Sequence, residues 1–323
     1  MIEVLLNKED TKTIKGFAII LVVLSHMAYI MDIPPKIELL THPLGYLGVS
    51  LFLAVSGYGC SITSMNKKNY RKGFFERRLR KIVPLLSAIT IIAVILSVCL
   101  YEKQYKIIEI GLNAIGITSS IGKFTWYIAY QYFWYVIFYI VGCDFSNRKK
   151  CMVKYFICSL IVYIISVTVT VPDIQFNLWG LNCFSFPFGI GVVLYSSEIK
   201  SKLNSQRDIR WIVVGMFVIS FIVCYGILRN PSDLIYQNAL KSIITLSFCA
   251  MVFVIVFTYR IEILKYGRVQ KIGEISFELY LIHGYWIFVL GQFFEPKTLI
   301  KDVFYIITII IASLVVHALK RQK

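Results

Sequence analysis

The chain has 323 residues, of which 58% are hydrophobic and only 16% charged, and its mean hydropathy is +0.71. That balance excludes an ordinary soluble enzyme and points to a polytopic membrane protein. The net charge of +16 would suit nucleic acid, but its placement along the chain gives it another role.

Apolar runs of about 17–20 residues, the length a hydrocarbon core requires, recur along the whole sequence. They predict an all-α transmembrane bundle of ten spans at residues 16–31, 44–64, 82–100, 124–142, 152–171, 178–196, 211–228, 240–258, 275–292 and 302–319. The connections are too short for a soluble catalytic domain, so residues 1–323 read as a single membrane domain. Any chemistry must come from the spans.

The first span lies in "TKTIKGFAIILVVLSHMAYI", and two of its polar residues stand out. Lys15 and His26 are eleven residues apart, about three helical turns, so they face the same way at a rise of about 16 Å. Lys15 would sit at the mouth of the membrane and His26 near its middle. The second span, in "GYLGVSLFLAVSGYGCSIT", carries glycines and serines, Ser56 among them, that permit close helix approach.

Next comes "FFERRLRKIVPLL", with Arg77, Arg78, Arg80 and Lys81 ahead of Pro84, which is expected to open the third span. Basic residues there anchor the topology, and they also suit phosphate through forked, charge-assisted hydrogen bonds. The fourth span holds ten aromatics between Phe124 and Tyr139, including Trp126 and Tyr135. Its ends fit interfacial belts; its middle suits core packing or flat faces for sugar rings. The sixth contains "FSFPFGIG", a candidate kink, and the ninth, "ISFELYLIHGYW", brings Glu278, Tyr280 and His283. Tyr280 precedes His283 by three residues, so the two share a helical face. The segments "DIPPKIELLTHP", "PDIQFNLWG" and "NPSDLIYQN" read as short loops.

Ionisable groups within a bilayer are costly and mark functional sites. His26, His283 and, nearer a span end, Glu278 are the deep ones, while His317, Lys241 and Lys154 lie close enough to an interface to snorkel. No acid stands beside His26, since Asp32 is six residues on and almost opposite on the helix. An orienting carboxylate would have to come from another span.

With both termini in the cytoplasm, 26 of the 34 Lys and Arg residues fall in inner segments and 8 in outer ones. That asymmetry obeys the positive-inside rule, so the basic charge reads as topology and nucleic acid has no place as a partner. The N-terminal segment lacks the pattern of a cleaved signal, since acids precede the apolar run and His26 interrupts it. Eight cysteines in or beside spans, with no Cys-x-x-Cys pair, read as small packing residues rather than disulfides or metal ligands. No metal site is expected.

These motifs together resemble the acyltransferase-3 family of integral membrane acyltransferases, which modify cell-surface glycans. Lys15-x10-His26 is similar to the family's Arg/Lys-x10-His signature, and "GVSLFLAVSGYGCSI" to its second-span motif. "FFERRLRKIVP" resembles its basic segment, "FTWYIAYQYFWYVIFYI" its aromatic span and "ISFELYLIHGYW" its late histidine span. The chain departs from the usual pattern at Lys15, often arginine, and at Gln131-Tyr132, where many members carry an acid. The basic motif aligns either as Arg77 with Arg80 or, counted from Pro84, as Arg78 with Lys81.

The resemblance implies a multi-pass protein of the cell membrane that transfers an acyl group, usually acetyl, from acyl-CoA to a hydroxyl of a glycan or lipid-linked saccharide. No bound cofactor is implied. On this reading Lys15, Arg77, Arg78, Arg80 and Lys81 hold the donor's phosphates, while His26, assisted by His283, acts as base or acyl carrier. Trp126, Tyr135, Tyr280 and Ser56 are candidates for substrate contact. A transporter or flippase for a lipid-linked glycan is the competing reading, since it too would use midplane histidines and a kinked helix.

Overall fold

A computed structural model describes residues 5–27, 35–171, 174–205, 207–228, 234–259, 267–290 and 299–321. Among them the architecture is all-α, and the one β feature is an isolated bridge between Val171 and Ile174. The helices are α1 Lys8–Met27, α2 Pro35–Asn66, α3 Phe74–Tyr101, α4 Ile107–Ala114, α5 Trp126–Val141, α6 Arg148–Thr168, α7 Phe176–Trp179 and α8 Ser185–Leu194. They continue with α9 Ser196–Ser205, α10 Arg207–Leu228, α11 Leu234–Tyr259, α12 Gly267–Glu274, α13 Ser276–Leu290 and α14 Leu299–Arg321. Among the described residues, five helical stretches are long and apolar enough to cross a membrane: Pro43–Asn66, Phe74–Tyr101, Arg148–Thr168, Phe176–Leu194 and Ile235–Thr258. The protein is thus a helical bundle with membrane-spanning helices.

Several expected boundaries move. The segment read as the loop "DIPPKIELLTHP" is helical from Pro35, and Pro43 lies inside α2. Residues 176–180 of the expected loop "PDIQFNLWG" also coil, as α7 and the start of a 3-10 turn over Gly180–Asn182 that leads into α8. The third helix does not open at Pro84. It begins at Phe74, behind Gly73 in a left-handed conformation (φ 64°), and Pro84 sits inside it. Proline forfeits one backbone hydrogen bond, and the residues before it continue as helix all the same, so the whole basic cluster rides on one helix. Span-length hydropathy could not show this, because the first turns are charged.

The centre of the bundle is α1 and α2, which pack on each other, with α12 and α13 against α1 and with α8 against α2. Small residues make these contacts possible. A Cβ at Gly57 would strike the Phe186 carbonyl, and one at Gly189 would strike that of Ala54, so α2 and α8 meet backbone to backbone. Gly16 and Gly273 do the same for α1 and α12. Tyr58 ties the start of the chain down, its hydroxyl donating to the Leu6 carbonyl at 2.9 Å.

The two faces of α5 part company. Tyr130, Trp134 and Phe138 are fully buried, with Trp134 stacked on Phe186 at 5.3 Å and Tyr130 on Trp179 at 4.8 Å. This face is packing. Tyr127, Gln131 and Tyr135 turn to a cavity instead.

Candidate active site

His26 occupies the last described turn of α1, and His283 lies two turns into α13. Because α13 packs on α1, the two imidazoles meet. His26 Nδ1 stands 2.8 Å from His283 Nε2, and the rings are nearly parallel at 5.1 Å between centroids. His283 is fully buried and its Nδ1 lies 2.9 Å from the Leu279 carbonyl.

These distances fix the tautomers. A carbonyl only accepts, so His283 Nδ1 carries the hydrogen and its Nε2 holds the lone pair. His26 Nδ1 must then donate to that lone pair, which leaves the lone pair of a neutral His26 on Nε2. Where the sequence called for an orienting carboxylate from another span, the structure places an imidazole, held in turn by a backbone carbonyl. Asp32 lies outside the described residues.

The Phe124 ring lies 4.2 Å from the His26 ring. Tyr280 stands 5.6 Å from the His283 ring, and its hydroxyl donates to the Phe124 carbonyl at 2.5 Å. Tyr280 and Phe124 thus form a wall on one side of the histidine pair. Tyr280 also lines a cavity of about 890 Å³, within the range of small-molecule sites.

That cavity collects most of the remaining candidates: Lys15, Ser56, Arg77, Arg78, Arg80, Lys81 and Tyr135. With Lys67 it has six cationic side chains, against the carboxylates of Glu274 and Glu278. Glu274 is engaged by Lys12 at 2.9 Å, and Glu278, which is buried, faces His317 Nδ1 at 3.6 Å. Burial holds the Lys15 ammonium below its ordinary pKa, and the nearby charge of Lys81 pushes the same way. Cations gathered without matching acids make a site for an anion.

The helical course of Phe74–Lys81 sorts the basic residues. Arg78 turns inward, its guanidinium 3.6 Å from the Phe74 ring and 4.7 Å from the Tyr135 ring, with a hydrogen bond to Cys60 Sγ at 3.1 Å. Arg77 folds back to donate to the carbonyls of Lys72 and Tyr70 at 2.6 and 2.9 Å. Arg80 is exposed and pairs with Glu76 at 2.6 Å. Arg78 is thus the inward residue of the cluster, while Lys81 is exposed although its charge reaches Lys15, and both alignments left open by sequence line the same cavity.

Trp126 is not among the residues lining the cavity; it is buried against Tyr130 at 6.3 Å. Ser56 is placed between two cavity tyrosines, within hydrogen-bonding reach of Tyr127 and Tyr135. The structure adds Phe124 and Gln131, which the sequence did not single out as site residues. Seven described cysteines are free, and no group of three or more His, Cys, Asp or Glu side chains among the described residues is placed to hold a metal.

The sequence matches a family model described as an acyltransferase domain, acyltransferase-3, over residues 12–318. No curated protein and no solved structure matches the chain.

Proposed function

The chain belongs to the acyltransferase-3 family of membrane acyltransferases, and on that premise we propose that it moves an acyl group, usually acetyl in that family, from acyl-CoA to a hydroxyl of an extracytoplasmic or lipid-linked glycan. The single observation that carries this reading is the joining of two unlike sites. Tyr280 lines the cavity that holds six cations and also packs on the pair of hydrogen-bonded imidazoles. The cations suit the phosphates of a nucleotide, and the imidazoles suit proton transfer at a hydroxyl. The family offers no support for the competing transporter reading.

In this mechanism the nucleotide stays at the basic end, which faces the cytoplasm, and Arg78, Lys81 and Lys15 take its phosphates. The pantetheine arm runs along the cavity toward His26. Phe124 or Tyr280 swings aside to admit the thioester. His26 Nε2 takes the proton of the acceptor hydroxyl as its oxygen attacks the thioester carbonyl. The bond from that carbon to sulfur breaks, and the leaving thiolate takes the proton back from His26. His283 holds the His26 ring and favours the imidazolium through the hydrogen bond it accepts, the part a carboxylate plays in a catalytic triad.

The test is transfer of labelled acetyl from acetyl-CoA by the purified protein in lipid vesicles, paired with mass spectrometry of surface glycans from cells lacking it. Loss of a defined O-acetyl group and transfer in vitro are the expected results. Absence of transfer from any acyl thioester, with surface glycans unchanged, would sink the reading. Orientation is checked separately by Asn69→Cys: a thiol placed there should resist labelling from outside intact cells.

A further inference from the structure

Along one side of the cavity, α5 serves as a ruler. Phe124, just ahead of it, packs on His26, and Tyr135 packs on Arg78. Those two positions are eleven residues apart, about 16 Å at the helical rise. Lys15 and His26 span the same interval on α1. An extended phosphopantetheine arm, by ordinary bond lengths, places its phosphate about 16 Å from the thioester sulfur and its two amide carbonyls about 5 and 10 Å from it.

Gln131 lies between the ends of this ruler, seven residues from Phe124 and so about 10 Å from the histidine level. It is buried and lines the cavity. Tyr127 donates its hydroxyl hydrogen to Gln131 Oε1 at 2.6 Å. Gln131 Nε2 then has no hydrogen-bond partner among the described residues. A buried donor left unmatched is costly, and the Gln131 side chain borders a space shared with Phe52, Val55, Ile128 and Leu85. An acceptor belongs there.

We infer that Gln131 binds the donor's arm, its Nε2 donating to the amide carbonyl farther from the thioester. This rests on the acyl-CoA reading above and adds a specificity-determining residue to it. The thioester carbonyl itself lies too near His26 for Gln131 to reach, so Gln131 acts in holding the donor and not in the chemical step.

The experiment compares three acetyl donors in vesicles: acetyl-CoA, acetyl-pantetheine and the acetyl thioester of N-acetylcysteamine, which lacks the farther amide. Gln131→Met keeps the side-chain length and removes the donor. Gln131→Glu keeps the acceptor for Tyr127 and also lacks the donor. Both variants should raise the Michaelis constant for acetyl-CoA and acetyl-pantetheine by about 5- to 10-fold. Turnover at saturation should hold, and kcat/KM with the short thioester should match that of the unaltered protein. An equal loss with all three donors would make Gln131 structural and overturn the inference. A fall in saturated turnover would place Gln131 at the reacting carbonyl and overturn it too, as would undiminished affinity in both variants. Failure of the unaltered protein to use any donor would instead overturn the acyl-CoA reading.

Discussion

The cationic cavity and the histidine pair behind Tyr280 solve opposite problems. At the mouth, Lys15, Lys67, Arg77, Arg78, Arg80 and Lys81 gather charge at the rim, and several of these side chains are exposed to solvent. At the inner end His283 is fully buried and its ring is fixed at both nitrogens. A cluster of like charges gains from any polyanion, and the loss of one member weakens that gain without abolishing it. A buried chain of two imidazoles and a carbonyl has one arrangement of hydrogens, and each partner depends on the next. On the proposed reading, the contrast teaches that the donor would be held by distributed electrostatics and the chemistry by a single ordered relay.

The sharpest way to break that contrast is His26→Gln. Loss of the titratable nitrogen should lower turnover at saturating acyl-CoA by at least about 10²-fold, with little change in the Michaelis constant. Near-normal turnover would make the histidine a packing group and leave the inner end without chemistry. His283→Leu should cost on the order of 10- to 10²-fold in turnover, because His26 loses the acceptor that selects its tautomer. His283→Gln can still accept from His26 through its amide oxygen, so it should recover part of that loss. Equal losses in the two variants would argue against the tautomer assignment.

The mouth should respond in the other parameter. Arg78→Ala or Lys15→Ala should raise the apparent Michaelis constant for acyl-CoA on the order of 10-fold, through loss of charge-assisted hydrogen bonds of about 1.5–3 kcal/mol each. Lys15→Arg should be tolerated, since a forked cation serves the same phosphates. Titration with acyl-CoA at fixed acceptor separates these effects from those at the histidines. The smallest effect is expected at Arg80, which is exposed and already paired with Glu76. Arg80→Ala should shift donor affinity by less than about 0.5 kcal/mol. A larger effect there than at Arg78 would reverse the inward and outward assignments.

Much of the scaffold was legible in the sequence because burial in lipid demands long apolar runs. Each of the ten expected segments contains helix in the structure, although five stretches satisfy length and hydropathy for crossing among the described residues. The basic cluster was legible too, since charge beside an apolar run is conspicuous. Helical extension through Pro43 and Pro84 was not, because proline biases against helix only locally and the surrounding turns outweigh it. Trp126 shows the limit for aromatics: composition marks the helix as unusual but cannot say which ring lines a cavity and which fills the core.

The sequence by itself determined the membrane setting, the helical class and the alignment of Lys15 with His26, because each follows from periodicity within one segment. Only the tertiary structure decided that His283 is the partner of His26, that Arg78 rather than Arg80 turns inward, and that Gln131, at the cavity wall, keeps an unmatched donor. The reason is physical. The rise and turn of a helix fix relations between residues near in sequence, whereas the neighbour of an α1 side chain depends on which helix packs against it. Gly16 and Gly273 set that contact by the close approach of backbones far apart in the chain.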